Sequence, residues 1–400
     1  MERTNFSLER RELLKDILTL ILLLVISGYC VNRFAVMQKG VDFPEFYAAA
    51  KLVFQGHGHK IYDPTIQHQF QSSYTGRVGT YFNHPPFELL LYLPFCLLPL
   101  KEAYLLWSLF NLVLLAMIAK LLQEKLMLVE DWRILLLGSL IFAPVLLTLI
   151  QGQDSIVLLF VITKAFVRLE DGNEVKAGAW LALGLFKFQI IVPIAFIVGI
   201  VRRRSLLGFA AVLALLTLIS ISISGWHVPV EYARFLMHMS SLPLAGIHPG
   251  AMANLRGLIE QFILPPTLRL AVTAAVCTLV MGAVLYDSIC GHSAEKNDIE
   301  FIFSEAVLAA ALVSYHISPH DLSILLLPIG LIWGWMIRTR NRSGLLNSTS
   351  LLTCIILLLP PLHLWLLNRH AYVFVSVPML ILFVASRKAI SKVREKPCFS

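Results

Sequence analysis

Long apolar segments separated by short polar ones dominate this chain. Because about 20 residues are needed to cross the hydrocarbon core of a bilayer, ten of the segments have the length of a spanning helix or fall a little short of it. They lie at residues 14–31, 103–122, 133–150, 155–168, 205–225, 267–290, 301–317, 321–338, 345–366 and 371–386. The pattern predicts an all-α polytopic membrane protein.

Two further apolar segments do not fit a simple span. Residues 86–100 are short and interrupted by proline, and residues 177–201 carry Lys187 near their middle. Since lysine and arginine accumulate on the cytoplasmic side, the basic residues decide the topology. If 86–100 only dips into the outer leaflet, five basic residues become cytoplasmic together: Lys120, Lys125, Arg133, Arg168 and Lys176.

The same rule makes 177–201 a broken helix. Arg202, Arg203 and Arg204 must also be cytoplasmic, so the segment enters and leaves on one side. We therefore predict two half-helices that meet around Lys187, Phe188 and Gln189. Broken helices at membrane depth occur where they line a polar cavity, so this break predicts a site.

This topology places both termini in the cytoplasm. The outer segments are then 32–102, 151–154, 226–266, 317–321 and 367–370, and eleven of the twelve histidines lie in them or at the adjoining span ends. The outer face is therefore where we expect the chemistry.

Composition narrows the function classes. The chain is 57% hydrophobic and 14% charged, against about 25% charged in soluble domains. Its net charge of +8 comes from basic residues between apolar segments, which indicates topology and not nucleic-acid binding. The six cysteines form no CxxC or Cys/His spacing, and no phosphate-binding glycine loop is present. A metal centre and a nucleotide-consuming domain are thereby disfavoured.

The first outer segment holds two acidic residues one helical turn apart. Asp42 and Glu45 open the stretch Gly40–Phe54, whose apolar positions, among them Phe46 and Tyr47, have helical spacing. The stretch predicts an acidic turn leading into an amphipathic helix on the membrane surface. Asp42 is a candidate catalytic residue, and helix capping is the alternative.

Two polar motifs follow. The stretch Tyr81–Phe87 contains His84 and leads into the dipping segment, and the turn 151–155 contains Gln153 and Asp154 between two apolar segments. Turn and capping chemistry accounts for much of both motifs. The turn 151–155 is nevertheless more polar than a simple connection between two spans requires. Gln153, Asp154 and His84 are therefore candidate substrate contacts.

A fourth polar motif, Tyr315–Asp321, contains His316, His320 and Asp321. Two histidines at this spacing can bind metal, but no third ligand is evident, so sugar or phosphate contacts or capping are favoured. Lys187 at the helix break is costly at membrane depth without an anionic partner, for which a phosphate is suited. Snorkelling is the alternative for Lys187. Arg256, beside Asn254, is a second candidate for phosphate or a structural loop residue.

The ordered set of motifs resembles glycosyltransferase family 87. It comprises Asp42-Phe43-x-x-Phe46-Tyr47, Tyr62-Asp63, His84-Pro85-Pro86-Phe87, Gly152-Gln153-x-Ser155, the Gly178-to-Gly184 run before Lys187, and the Asn254 loop. That family belongs to the GT-C superfamily, whose members use polyprenyl-phosphate sugars and include bacterial mannosyl- and arabinofuranosyltransferases. The similarity runs in order through about residues 15 to 340.

The resemblance implies a specific set of roles. It implies a bundle of about 10–12 transmembrane helices in one membrane domain, with a catalytic module at 1–210 and additional spans at 211–400. By position, Asp42 would be the general base, Gly152-Gln153 a second polar loop and Lys187 a contact to the donor phosphate. From the polar motifs above we add Arg256 as a second phosphate contact. The candidate substrate contacts are Glu45, Tyr47, His84, Gln153, Asp154, Gln189, Asn254, His316, His320 and Asp321.

The implied activity is transfer of a hexose or pentose, with inversion, to a hydroxyl of a glycan or glycolipid. It would take place at the outer face of a bacterial cell membrane, and no cofactor is expected. The Asp-x-x-Glu spacing differs from the acidic pair of some relatives, which leaves metal dependence open. A secondary transporter or lipid flippase is the main alternative, because these also use broken helices. A ligase with a lipid-diphosphate donor is a third interpretation.

Overall fold

The computed structural model describes residues 2–36, 42–76, 79–238, 249–290, 296–338 and 344–394. Parts of the predicted outer segments 32–102 and 226–266, including Gly40, lie outside the described residues. The described chain contains α-helices and short 3₁₀ turns and no strand. The α-helices are α1 Glu2–Val36, α2 Phe43–Phe54, α3 Pro64–Thr75, α4 Leu89–Tyr92, α5 Leu100–Leu126, α6 Trp132–Ile141, α7 Ala143–Gln151, α8 Ser155–Glu170, α9 Glu174–Leu183, α10 Phe188–Val201, α11 Ser205–Ser224, α12 Val228–His238, α13 Leu255–Glu260, α14 Pro266–Cys290, α15 Lys296–Val313, α16 Leu326–Arg338, α17 Gly344–Leu358, α18 Pro360–Asn368 and α19 Ser376–Arg394.

Five helical segments are long and apolar enough to cross a membrane. They are Arg11–Arg33, Leu100–Leu126, Ser205–Ser224, Pro266–Ile289 and Pro319–Ile337. Up to eight spans result if three bent helix pairs each count as one. The prediction of an all-α polytopic membrane protein is confirmed. The total of 10–12 spans stays a prediction, since α8, α15 and α19 do not meet the same criteria.

The predicted break at Lys187 is present. Helices α9 and α10 are joined by the 3₁₀ turn Leu185–Lys187 and are bent by 63°. Two other segments that hydropathy treats as continuous are also broken, with bends of 73° between α6 and α7 and 59° between α17 and α18. Both bends lie next to prolines, Pro144 and Pro360, and proline has no backbone N–H with which to continue the hydrogen bonds of the preceding helix.

The first outer segment folds over itself. Residues 86–97 form three short helical turns instead of a spanning helix, which agrees with a dipping segment. Nine of the twelve residues of α2 are buried. Whereas the sequence suggested a helix on the membrane surface, protein covers α2 on most sides, because α3 and α4 pack against it.

Close helix packing fixes the position of the broken helix. Helix α9 runs along α11, and both helices have glycine at the contact. A Cβ atom on Gly178 would lie 1.7 Å from the Ser205 carbonyl oxygen, and one on Gly208 would lie 1.8 Å from the Val175 carbonyl oxygen. Small residues permit this approach of two backbones, which is how helices associate in membranes. The half-helix that leads to Lys187 is thereby anchored.

Candidate active site

Six segments meet at one cavity. They are the start of α2, residues 80–84, the turn between α7 and α8, the break between α9 and α10, helix α12, and the segment between α15 and α16. The cavity has a volume of about 530 Å³. It is lined by Asp42, Glu45, Thr80, Asn83, His84, Gln153, Phe186, Lys187, Phe188, Gln189, Tyr232, Leu236, Met237, Tyr315, His316, Ser318 and His320.

Asp42 presents its carboxylate to this cavity and does not cap α2. The residue occupies the N-cap position, yet its side chain accepts no hydrogen bond from the helix. Gln153 Nε2 instead donates to Asp42 Oδ2 at 2.6 Å, and the Asp42 N–H donates to the Gln151 carbonyl at 3.0 Å. By contrast, Asp63 does cap its helix, accepting from the N–H groups of Thr65 and Ile66. Of the two interpretations of Asp42, the structure disfavours capping.

The turn 151–153 connects Asp42 to the histidine segment. While Gln153 holds Asp42, His320 Nδ1 lies 2.6 Å from Gln151 Oε1. Because an amide oxygen only accepts, Nδ1 is the protonated nitrogen of His320. Trp107 Nε1, on helix α5, donates to the Gly152 carbonyl at 2.9 Å and holds the turn in place. Gly152 has φ +71, and a Cβ there would lie 2.5 Å from Phe43 Cβ.

Lys187 is buried and paired with two carboxylates. Its Nζ lies 3.3 Å from Asp154 Oδ1 and 3.3 Å from Asp321 Oδ1. Asp321 Oδ1 also accepts from Ser155 Oγ at 3.0 Å, and Asp321 Oδ2 accepts from the Ser318 N–H at 2.8 Å. A buried charge is tolerated when it is paired and hydrogen-bonded. The Lys187 ammonium therefore connects the break between α9 and α10 to the start of α8, through Asp154, and to the turn before α16, through Asp321.

Glu45 is the buried acidic neighbour of Asp42. Its side chain is buried, and Thr80 Oγ1 donates to its Oε2. Burial, with the nearby charge of Asp42, holds the pKa of Glu45 well above its usual range. This environment favours the protonated form of Glu45.

Burial also favours the neutral form of the histidines that line the cavity. Burial lowers the pKa of His84 to about 4 and that of His316 to about 4. His84 Nδ1 lies 2.7 Å from Glu88 Oε2, and burial raises the pKa of this Glu88 carboxyl to about 7. Within the described residues His84 and Glu88 belong, with Asp154, to the group that has metal-ligand spacing, and His316 and His320 do not.

The chain matches the sequence profile of a known protein family, and the match includes most residues of the cavity. The sequence profile of glycosyltransferase family 87 matches residues 82–361, which is well over half of the chain. The chain belongs to glycosyltransferase family 87. No individual curated protein matches it closely enough to count as a relative. As a member of this family with several apolar helices, the protein is a multi-pass membrane glycosyltransferase.

The family match covers most of the cavity but not all of it. His84, Gln153, Lys187, His316 and His320 lie within residues 82–361. Asp42 and Glu45 lie before the matched region, so geometry alone connects them to the rest. The direct bond from Gln153 to Asp42 is that connection.

The structure brings together most of the predicted residues of the glycosyltransferase site. Eight line the cavity: Asp42, Glu45, His84, Gln153, Lys187, Gln189, His316 and His320. Asp154 and Asp321 lie behind them as the partners of Lys187.

Three predicted residues lie apart from the cavity lining. The Tyr47 hydroxyl donates to the Leu98 carbonyl at 2.7 Å, so Tyr47 ties α2 to the dipping segment. Asn254 caps α13 and donates to the Ser314 carbonyl at 2.7 Å. Arg256 donates to the Tyr315 carbonyl at 3.0 Å, with its guanidinium 4.3 Å from the centroid of that ring. These contacts shape the segment before His316.

Sequence reasoning did not select several residues of the site. Thr80 and Tyr232 are isolated polar residues without a motif, and no sequence signal marks them. Gln151 belongs to a motif already noted, but only Gln153 was selected from it. Glu88 had a usable signal, because a lone carboxyl inside an apolar, proline-interrupted segment is costly without a partner.

Proposed function

We propose that this glycosyltransferase transfers a sugar from a polyprenyl-phosphate carrier to a hydroxyl acceptor, with Asp42 as general base and with inversion at the anomeric carbon. The observation that carries the proposal is the Asp42 carboxylate, oriented by Gln153, at the wall of a cavity that Lys187 also lines. A mannose-like hexose or an arabinofuranose-like pentose on this carrier is the expected donor.

The lining of the cavity supports a lipid-linked donor. Its polar part is formed by carboxyl, amide and imidazole groups, which suit a sugar. Four of its members are large and apolar, namely Phe186, Phe188, Leu236 and Met237. Phe188 is 42% exposed and Met237 is 70% exposed, so an apolar path leads from the cavity to the surface. A polyprenyl chain fits such a path, whereas a nucleotide would find no phosphate-binding loop in this sequence.

The proposed reaction is a single displacement. Asp42 removes the proton of the acceptor hydroxyl as its oxygen forms a bond to the anomeric carbon. The bond from that carbon to the phosphate oxygen breaks on the opposite face, and polyprenyl phosphate leaves with the electron pair. Inversion of configuration follows from one displacement. Glu45 supports the base by staying protonated, since a second ionised carboxyl beside Asp42 would disfavour its charge.

The leaving phosphate needs positive charge or hydrogen-bond donors. Lys187 lines the cavity, but it also faces Asp154 and Asp321, so part of its charge is already compensated. We therefore propose that Lys187 acts together with His316, which lines the same cavity, whereas the N–H of His320 is already used by Gln151. Arg256 contributes by holding Tyr315, the neighbour of His316, through its bond to the Tyr315 carbonyl. Donors fixed before the reaction stabilise developing charge without reorganisation.

A donor panel tests this proposal. Membranes that contain the protein are supplied with one radiolabelled sugar at a time, as polyprenyl phosphate, polyprenyl diphosphate or nucleotide conjugates, together with a lipid extract as acceptor. We expect transfer from a polyprenyl-phosphate sugar and release of polyprenyl phosphate. Transfer from a nucleotide sugar in lipid-free conditions, or from diphosphate donors alone, would overturn the donor assignment.

Topology is tested separately. We propose that the cavity faces the outside of a bacterial cell membrane and that both termini are cytoplasmic, on the distribution of basic residues. Reporter fusions at Gln153 and at Lys176 should report the outside and the cytoplasm, respectively. A cytoplasmic signal at Gln153 would contradict the outward-facing site and leave the family assignment untouched.

A further inference from the structure

A cluster of three potential metal ligands lies directly behind the cavity. His84 Nδ1 is 2.7 Å from Glu88 Oε2 and 4.0 Å from Asp154 Oδ2. One ligand atom from each residue lies within 4.8 Å of the other two. Glu88 and Asp154 are 1% and 0% exposed and do not line the cavity, whereas His84 does. The cluster therefore lies behind the cavity, which it reaches through the His84 imidazole, and it contacts Lys187 through Asp154.

The ligand atoms of this cluster make no aligned hydrogen bond within the described residues. These buried atoms are both carboxylate oxygens of Glu88, both of Asp154 and Nδ1 of His84. Asp154 Oδ1 faces the Lys187 ammonium at 3.3 Å, and His84 Nδ1 lies close to Glu88 Oε2, but Glu88 Oε1 and Asp154 Oδ2 have no basic partner as close among the described residues. Buried polar atoms normally have well-aligned partners, so the cluster points to one shared partner.

The charge balance of the region points in the same direction. Asp42, Glu88, Asp154 and Asp321 place four carboxyl groups in or directly behind the cavity wall, besides Glu45, whose raised pKa favours its neutral form. Lys187 faces two of them, Asp154 and Asp321. Buried charges must be paired or must coordinate metals, and the proposed donor adds a phosphate to this region.

Protons can join the three residues only in pairs. One proton can bridge an oxygen of Glu88 and an oxygen of Asp154, and His84 Nδ1 can donate to Glu88 Oε2 at 2.7 Å, but no proton contacts all three residues. A divalent cation at the centre contacts all three residues at once. Metal–ligand distances of about 2.0–2.2 Å require ligand atoms somewhat farther apart than the 2.7 Å between His84 and Glu88, so that contact must open slightly.

We propose that His84, Glu88 and Asp154 form a binding site for a divalent transition-metal ion. One imidazole and two carboxylates suit Zn²⁺ or Mn²⁺, whereas Mg²⁺ and Ca²⁺ favour oxygen ligands throughout. The ion joins the first outer segment, which supplies His84 and Glu88, to the start of α8, which supplies Asp154. It also fixes the His84 imidazole at the cavity wall with its proton on Nε2, because ligation takes Nδ1. This site goes beyond the proposed transfer reaction and does not depend on the identity of the donor.

Metal content of the purified full-length protein tests the site. The detergent-solubilised protein, freed of any affinity tag, is stripped with a chelator, loaded with Zn²⁺ or Mn²⁺ alone, desalted and analysed by elemental mass spectrometry. We expect about one ion per chain in the wild type and at least about a tenfold loss of affinity in Glu88→Gln and in His84→Asn. Glu102→Gln and His59→Asn change exposed residues of the same two types and should leave the metal content unchanged.

Each outcome decides the proposal. A folded wild type that takes up neither ion would overturn it and would leave a proton bridge between Glu88 and Asp154. Unchanged metal content in both ligand variants would place the ion elsewhere and would also overturn it. If a variant does not fold, Co²⁺ loaded into the wild type reports the ligands through its absorption spectrum. The measurement uses no donor or acceptor, so it can succeed even if the proposed transfer reaction is wrong.

Discussion

Gln153 donates a hydrogen bond of 2.6 Å from Nε2 to Asp42 Oδ2, across 111 positions of the chain. This bond joins the turn before α8 to the start of α2, and it leaves Asp42 Oδ1 for an acceptor hydroxyl. Gln153 is 4% exposed, so its amide is held in one place. The base of the proposed reaction is therefore oriented by a residue that takes no part in the chemistry.

Removal of this amide should slow transfer more than it weakens binding. A hydrogen bond to a charged group contributes about 1.5–3 kcal/mol, so Gln153→Leu should lower kcat about ten- to a hundredfold with a smaller change in KM. Gln123→Leu is the control, because Gln123 does not line the cavity and donates only to the Glu130 carbonyl at 3.4 Å. Equal effects of the two variants would contradict the positioning role.

Gly152 offers a test of the same turn by steric means. Gly152→Ala places a Cβ 2.5 Å from Phe43 Cβ, next to Asp42, in addition to the strain of φ +71. Gly172→Ala is a matched control, because Gly172 has φ +75 and nothing within 4 Å of its built Cβ. Overpacking costs about 1–3 kcal/mol. We expect thermal unfolding at a lower temperature and a loss of transfer in Gly152→Ala beyond those of Gly172→Ala, and equal behaviour would show that Phe43 yields freely.

Lys187 should be required for folding as well as for transfer. Lys187→Met leaves Asp154 and Asp321 without their cation, and removing one member of a buried pair costs about 3–5 kcal/mol. Lys15 also faces two acidic residues, Glu12 and Asp131, but its side chain is 48% exposed. Such exposed pairs contribute little to stability, so Lys15→Met should be mild. The comparison is made on protein recovered from membranes and on its unfolding temperature.

A triple variant separates the two roles of Lys187. Lys187→Met combined with Asp154→Asn and Asp321→Asn removes the uncompensated charges and should restore much of the folded protein. Transfer should remain low, because the phosphate contact is still missing. Full recovery of transfer would mean that Lys187 only compensates Asp154 and Asp321.

Glu45 should give the protein an alkaline limit. The raised pKa of Glu45 means that its carboxyl keeps its proton to a higher pH than an exposed glutamate does and loses it as the pH rises further. A carboxyl whose folded-state pKa lies above its unfolded value contributes stability below the unfolded value, and this contribution is lost as the pH rises through the folded value. Glu45→Gln mimics the protonated form, so it should retain transfer and show a smaller alkaline loss of both transfer and unfolding temperature. An unchanged alkaline limb would assign the limit to another group.

The helix break at Lys187 could be predicted from the sequence, because basic residues at Lys176 and Arg202–Arg204 fix both ends on one side. The same argument predicted that Asp42, Gln153, His316 and His320 share a face, and one cavity now contains all four. The partners of Lys187 could not be predicted. A phosphate was expected, whereas the structure supplies Asp154 and Asp321, which come close only when α8 and the α16 segment pack together.

The structure also differs from the sequence-based prediction at two helix breaks and in the environment of α2. Pro144 and Pro360 are visible in the sequence, but long apolar segments conceal the breaks they cause. The burial of α2 could not be anticipated from its amphipathic pattern, because a membrane surface and a protein surface select the same apolar stripe. The burial of α2 also explains why Tyr47 does not line the cavity. Its hydroxyl donates to the Leu98 carbonyl, which belongs to the protein that covers the helix.

The most direct test of the account is the transfer activity of Asp42→Asn in membranes. General-base catalysis typically contributes about a hundred- to ten-thousandfold, so the variant should retain at most a trace of transfer at matched protein levels. Asp63→Asn is the control, because Asp63 caps α3 outside the cavity and asparagine is about as good an N-cap, so this variant should behave like the wild type. Transfer by Asp42→Asn within a few-fold of the wild type would contradict the central claim and remove Asp42 from the mechanism.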